Sequence, residues 1–303
     1  MMPSKPLIDM RTRPIFLHEF FGAVPDTPEF ETVRWLNKRV GTKNPDHFSR
    51  SRTLASFLSE MNSAGIGRGV VVGRSVPSTR ISNDTISETV QRAHGKLIGI
   101  ASVDPVYLGI SDGLAELDRA ITELGLAGLN IDAGFYKTPL RASDDRLMPF
   151  YEACDARGIP VCIMSGPTTP DLHFNDPYAV DVVAKTFPQL KIICCHGFYP
   201  RVSDIIAVAF RNQNVIISPD MYTWCPGGQL YIDAANGFMR DQFLFGSSYP
   251  FREMAQSVQD FLCCGLNPAA LANAGWLTAT RLFDLETNKA EIPADDATSN
   301  ALS

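Results

Sequence analysis

Residues 191–197 read Lys-Ile-Ile-Cys-Cys-His-Gly (KIICCHG). Four apolar positions in a row, closed by a His-Gly pair, leave the segment no polar face. That is the pattern of a strand covered on both sides in a parallel sheet. Runs of the same kind lie before it at Leu7–Thr12, Arg68–Arg74, Leu97–Asp104, Ala127–Ala133 and Pro160–Gly166. Two more follow at Asn214–Asp220 and Gln242–Tyr249. Between the runs the apolar period turns helical. Leu54, Phe57, Leu58 and Met61 share one face, with Gly65 as a stop; Leu114, Leu117, Ile121 and Leu124 repeat the pattern before Gly125. Leu147, Phe150, Tyr151 and Cys154 form another face, with Ser143 or Asp144 as the expected N-cap. Val182–Phe187, Val202–Phe210, Leu230–Met239 and Met254–Leu262 supply further helices. Eight strand-then-helix units in 303 residues predict an α/β fold, a (β/α)8 TIM barrel. A doubly wound sheet is the alternative, but no Gly-rich phosphate loop follows an early strand.

Composition narrows the function classes. Hydrophobic residues make up 45% and charged residues 20%, as in ordinary globular chains. Twenty-seven basic against 33 acidic residues, with no basic cluster, argue against a nucleic-acid partner. No window approaches the roughly 18 apolar residues of a membrane helix. The start, Met-Met-Pro-Ser-Lys-Pro, lacks a secretory h-region, so a cytoplasmic location is expected. The seven cysteines include the adjacent pairs Cys194-Cys195 and Cys263-Cys264 but no C-x-x-C, and they read as buried, reduced thiols. A single barrel domain is expected over residues 1–285. Residues 286–303, without periodicity, are expected to be a disordered tail. The Phe-, Pro- and Arg-rich stretch from Ile15 to about Arg50 is a long loop after strand one, placed to cap the mouth or to meet a second subunit. Homo-oligomerisation stays open.

In barrels of this class the chemistry lies at the carboxyl ends of the strands. Those ends offer Asp9, Arg11 and Arg13; Arg74; Asp104; Asn130 and Asp132; Met164 and Ser165; His196; Asp220; and Ser247, Ser248 and Tyr249. Arg11 and Arg13 alternate with Met10 and Thr12, so both are expected to point into the mouth. Tyr249, Tyr222 and Trp224 are expected in the pocket wall. His18 and His173 are placed to reach the mouth through loops, while His47 and His94 read as loop or helix-surface residues.

Taken in order, LIDMRTRP at 7–14, GIPVCIMSG at 158–166, IICCHG at 192–197, FLFGSSYPF at 243–251 and TATRLFDL at 278–285 resemble the amidohydrolase-related family. Its members include aminocarboxymuconate semialdehyde decarboxylase and several lactonases. The resemblance runs from about Leu7 to Leu285 and implies the same barrel. It also implies a metal site, and here the chain departs. The family's His-x-His falls on Arg11-Thr12-Arg13, its strand-five histidine on Met164 and its strand-eight aspartate on Ser248. The strand-six histidine is kept as His196. A guanidinium is an obligate cation that cannot ligate metal, so no metal and no other cofactor are expected.

The planar fork of arginine suits a carboxylate. Arg11 and Arg13, with Arg74, are therefore expected to hold a small anionic metabolite in place of the metal's charge. Met164, Ser165, Asp132, Ser248 and Tyr249 are the other expected substrate contacts. His196 is the expected acid–base group, because its ordinary pKa lies near neutrality, and Asp220 is its catalytic partner. The expected activity is that of a metal-independent hydrolase or lyase on a carboxylated compound, a lactone included. A decarboxylase of a carboxylated ring or enol compound stays open. So does a non-catalytic barrel that binds an anion, in which the arginines pair with Asp9, Asp104, Asp132 or Asp220. A mouth plugged by side chains would favour the silent barrel, whereas an open cavity shared by His196 and the arginines would favour an enzyme. A Ser-His-Asp arrangement through Ser165 or Ser248 lacks the G-x-S-x-G signature.

Overall fold

The computed structural model of the chain describes residues 5–17 and 24–285. Seven parallel strands, Leu7–Thr12, Ile66–Val72, Leu97–Ser102, Leu129–Ile131, Val161–Ile163, Ile192–Cys195 and Val215–Ser218, pair in chain order. The eighth run closes the ring less regularly than expected. Phe243 bridges to Ile217 and Tyr249 to Thr12, both parallel, and Met10 N–H donates to Phe245 C=O at 3.0 Å. Side chains explain the irregularity. Ser247 N–H is taken by the Asp9 carboxylate at 2.8 Å, and Tyr249 N–H by the Ser247 hydroxyl at 3.0 Å. Those donors are lost to a regular ladder. The fold is a (β/α)8 barrel.

Strand alternation accounts for the continuously apolar runs. Ile193 and Cys195 pack inside the barrel with Ile8, Val70, Ile100 and Leu244. Ile192 and Cys194 face outward against the helices, so both faces must be apolar. All seven cysteines are free; Cys154, Cys162, Cys194 and Cys195 are buried as expected, but Cys225 and Cys264 are only partly buried and Cys263 is exposed, because they lie outside the strands and helices. The closing helix Thr278–Leu282 seals the amino end of the barrel. Ala279 and Leu282 join the interior cluster there, and Lys191, just before strand six, donates to Leu282 C=O.

Most outer helices fall where the period placed them, although Val182–Phe187 belongs to a longer helix, Pro177–Thr186, and the helix expected over Leu230–Met239 is Gln229–Ala235; three other corrections are larger. The helix Met148–Arg157 begins after Leu147 rather than at Ser143 or Asp144, because Pro149 starts its first turn and Asp144 is engaged by Arg146. The helix Asn83–Arg92 went unread, since the face it buries carries Asn83, Ser87 and Thr89 beside Ile86. The stretch read as a loop holds a helix, Pro28–Arg39, capped by Thr27. It covers the mouth as expected of that stretch. Asn37 donates to Pro250 C=O at 3.1 Å, Thr42 to Phe251 C=O at 3.0 Å, and Arg252 to Val40 C=O at 2.7 Å. The cap and the turn after strand eight thus form one unit. The tail at 286–303 and His18 lie outside the described residues. No described helix is long and apolar enough to cross a membrane.

Candidate active site

Strand one brings two arginines to the mouth through a bulge. Asp9 pairs with Gly69 but Thr12 with Val71, so strand one carries one extra residue between those pairs. Such an insertion re-aims side chains at barrel rims. Met10 stays inside with Ile8, while Arg11 and Arg13 both line the cavity, buried at 3% and 4% exposure. Arg11 donates to Met164 Sδ at 3.0 Å and to Cys195 Sγ at 3.6 Å, and sulfur is a weak acceptor. Arg13 donates to the carbonyls of Val72 at 3.0 Å and Gly73 at 3.3 Å. Arg74, half over the ring of Phe135 at 4.5 Å, sits 3.6 Å from Asp132. Burial, and then the nearby Arg11 and Arg74, push the Arg13 guanidinium well below its ordinary pKa. Burial lowers Arg74 too, against the pull of Asp132. An anion in this space relieves that repulsion.

Of the carboxylates named as alternative arginine partners, Asp132 does face Arg74 and Asp220 faces His196, while Asp9 and Asp104 bind main-chain N–H groups. Asp104 accepts from Val106 N–H and Tyr107 N–H at a helix start. Asp9 accepts the main-chain N–H of Arg11 at 3.1 Å and that of Ser247. Burial raises Asp9 to about 7. Asp132 accepts from Asn130 at 2.8 Å and faces Arg74.

His196 follows strand six at the start of a left-handed arc: φ is 59° at His196, 57° at Gly197 and 56° at Phe198. Non-glycine residues in that region carry strain and collect at functional sites. His196 Nδ1 lies 3.0 Å from Asp220 Oδ2, an ion-pair approach bent off the ideal hydrogen-bond line. The same oxygen accepts His196 N–H at 3.1 Å. Ser218 donates to Asp220 Oδ1 at 2.5 Å. Gly246 is required beside it, because a Cβ there would stand 2.3 Å from Oδ1. Burial lowers the His196 pKa, opposed by Asp220 and assisted by Arg11 and Arg13. The ring is therefore neutral at pH 7. A proton on Nδ1, facing the carboxylate, leaves Nε2 as the basic nitrogen.

Among the described residues the cavity measures about 400 Å³ and no side chain plugs it. Arg11, Arg13, Arg74, Met164, His196, Ser248 and Tyr249 all line it. Ser248 sits at φ 60°, with its buried hydroxyl unpartnered. Two expected substrate contacts, Asp132 and Ser165, stand back from the space, as does Asp220, which was expected as the partner of His196. Asp220 lies behind His196 and Asp132 behind Arg74. Ser165 is drawn to the main chain, donating to Cys195 C=O and accepting from Phe198 N–H. Of the expected wall, Tyr222 packs edge-on to His196 at 5.4 Å. Trp224 lies instead under Arg252. His173 is exposed and held by Asp171. His47 is fully buried rather than superficial, bound to Asn37 at 3.0 Å. Sequence reasoning missed Thr32, Trp35 and Leu36 of the cap helix, together with Phe135 and Phe251. The Thr27-Pro28 start and the Phe30, Val33, Leu36 spacing were the signal for that helix.

The residues present do not fit the divalent ion that the family resemblance implies. Among the described residues no group of three or more His, Cys, Asp or Glu is placed to hold a metal, and guanidinium groups occupy the strand-one positions.

A family model described as amidohydrolase matches residues 39–285. A 2-keto-4-carboxy-3-hexenedioate hydratase of Sphingobium sp. is 28% identical over 140 residues, which is 40% of this chain and 41% of the relative's own length. An uncharacterized TIM-barrel protein from Bordetella bronchiseptica is 30% identical, with 92% of this chain and 98% of that one covered at a TM-score of 0.83. The 4-oxalomesaconate hydratase of Rhodopseudomonas palustris is 18% identical, with 92% of this chain and 95% of that one covered at 0.63. That likeness is one of fold alone. The match over most of the barrel, with His196 kept at the end of strand six, means that the chain belongs to the amidohydrolase family of enzymes.

Proposed function

We propose that the protein is a metal-independent hydrolase or lyase acting on a small carboxylated metabolite, a lactone among the candidates. Arg11 and Arg13, with Arg74, supply the charge that a metal supplies elsewhere, and His196 is the acid–base group. One observation carries the reading. The buried Arg11 guanidinium spends its side-chain hydrogen bonds on two sulfurs while facing a cavity that His196 also lines. A carboxylate or oxyanion is a far better acceptor than a thioether, so the arrangement is complete only with an anion in place. The cavity, about 400 Å³, sits at the lower end of the range for small-molecule sites.

In hydrolysis, His196 Nε2 takes a proton from water as its oxygen bonds to the substrate carbonyl carbon. The carbonyl π pair moves to oxygen, where Arg11 stabilises the new charge. That pair then re-forms the carbonyl, the ring C–O bond breaks, and the alkoxide leaves with the proton held on His196. Hydration of an enoate runs through the same groups, with water adding to the double bond. Removing one such oxyanion donor typically costs about 3–4 kcal/mol, large enough to make Arg11 the main electrostatic contributor. A guanidinium on a departing carboxylate would instead stabilise the ground state. Decarboxylation therefore needs a second, spectator carboxylate on the arginines. A cavity that no described side chain plugs weighs against a silent barrel.

The test is turnover of lactones and unsaturated dicarboxylates by purified protein, with and without chelator, alongside its metal content. Chelator-resistant turnover with little bound metal is expected. Stoichiometric zinc, or activity lost to chelator, overturns the reading. Anion binding without turnover of any compound would favour the non-catalytic barrel.

A further inference from the structure

We propose that Ser165 is a positioning residue that acts through His196, an inference resting on the reading of His196 as the acid–base group. The left-handed arc at His196–Phe198 is held by side chains from neighbouring elements. Asp220 accepts His196 N–H at 3.1 Å, and the Tyr231 hydroxyl donates to Gly197 C=O at 2.7 Å. Asn175 donates to Tyr199 C=O at 2.9 Å. Asp220 and Tyr231 each hold one point of the arc, and Asn175 holds its exit, reaching Phe198 C=O at 3.4 Å as well. Ser165 spans it. Its hydroxyl donates to Cys195 C=O at 2.5 Å, just before His196, and accepts from Phe198 N–H at 2.9 Å, two residues later.

Ser165 is 1% exposed, so bulk water does not replace its hydroxyl. Without that oxygen, a buried carbonyl and a buried N–H both lose their partner, which folded chains avoid by moving. The peptides affected are Cys195–His196 and Gly197–Phe198, each then held only at its other end, by Asp220 and Tyr231, and their rotation out of the left-handed region also relieves strain. That rotation carries the imidazole away from Asp220 and toward the wet cavity. The serine therefore fixes the direction of the ring and its favoured tautomer, although it never reaches the substrate space.

Histidine NMR titration of the free protein tests this, with the His196 signal assigned by His196→Asn. In Ser165→Ala the Nδ1–H tautomer should lose population. The titration midpoint should rise by about half a pH unit or more, because burial is the largest influence holding it down. Ser165→Thr, which keeps the hydroxyl, should restore both readings, and Ser165→Cys should fall between. An unchanged tautomer and midpoint in Ser165→Ala, whatever its Tm, overturns the proposal. Should that variant not fold, equal readings in the Cys and Thr variants overturn it instead. No substrate is needed, so absence of turnover would sink the proposed activity and leave this result standing.

Discussion

Arg11→Met separates a ligand-holding arginine from a structural one. The substitution keeps an unbranched chain of similar reach and removes a buried cation. Two opposing effects bear on stability. Removing the guanidinium removes its desolvation cost, which favours the variant. Against that, Asp220 and Asp132 lose a nearby positive charge. The net change should stay within about 2 kcal/mol, or roughly 3 °C in Tm for a chain of this size. Anion affinity should respond far more strongly. Two charge-assisted hydrogen bonds at about 1.5–3 kcal/mol each give about 3–6 kcal/mol, a loss of about 10²- to 10⁴-fold in affinity. Calorimetry with benzoate as the probe, beside thermal melts, measures both quantities. A collapse of the barrel with Arg11 removed would make the residue structural. Unchanged benzoate affinity would remove the anion site altogether.

Three further outcomes are expected. His196→Asn should cut turnover more than binding, and the wild-type acid limb should lie below the ordinary imidazole value of 6.5, since burial holds His196 down; equal losses in kcat and affinity would contradict a proton-transfer role. Gly246→Ala should displace Asp220, whose Oδ1 would meet the new Cβ at 2.3 Å, with an overpacking cost of about 1–3 kcal/mol and a shifted His196 titration; a wild-type titration would refute the close approach. Asp9, raised from 3.8 to about 7, stays protonated in the fold where the unfolded chain has already ionised. Its contribution is full below about pH 4 and is lost as pH rises through about 7. Asp9→Asn should therefore gain stability relative to wild type between pH 5 and 9, by up to about 4 kcal/mol, in denaturant titrations at each pH.

The barrel was legible because its strands have two buried faces, and KIICCHG can satisfy both only by being apolar throughout. The strand ends were legible for the same reason, since the first polar residue after each run lies at the rim. The depth of each rim residue was not legible. Asp132 and Ser165 share the rim with Arg11 and His196, yet they turn to Arg74 and to the main chain. That choice depends on neighbours far away in sequence. The bulge in strand one was invisible as well, because it is a register difference between two strands. The cap helix was hidden differently. Its sequence, PEFETVRWLNKR, buries Asn37 beside Phe30, Val33 and Leu36, and the polar residue interrupts the apolar stripe.

On the proposed reading, exchanging a metal for arginines redistributes the chemistry as well as the charge. A metal both stabilises an oxyanion and acidifies a bound water. A guanidinium does only the first, because it has no open coordination position for water. Making the nucleophile then falls to a side chain, and His196 is the titratable group on the cavity wall whose state suits that work at neutral pH. Its lowered pKa has two consequences of opposite sign. The ring is fully available as a base, but each proton it takes is held more weakly. Asp220 compensates as that proton arrives, since an imidazolium 3.0 Å from a carboxylate is stabilised at the moment it forms. Hence the device needs the Ser218 and Gly246 packing that keeps Asp220 against the ring. In that reading the arginines hold the anion in front of His196, while burial, with their field adding to it, lowers the ring's pKa beforehand. The two parts of the site are coupled, and moving either one changes the other.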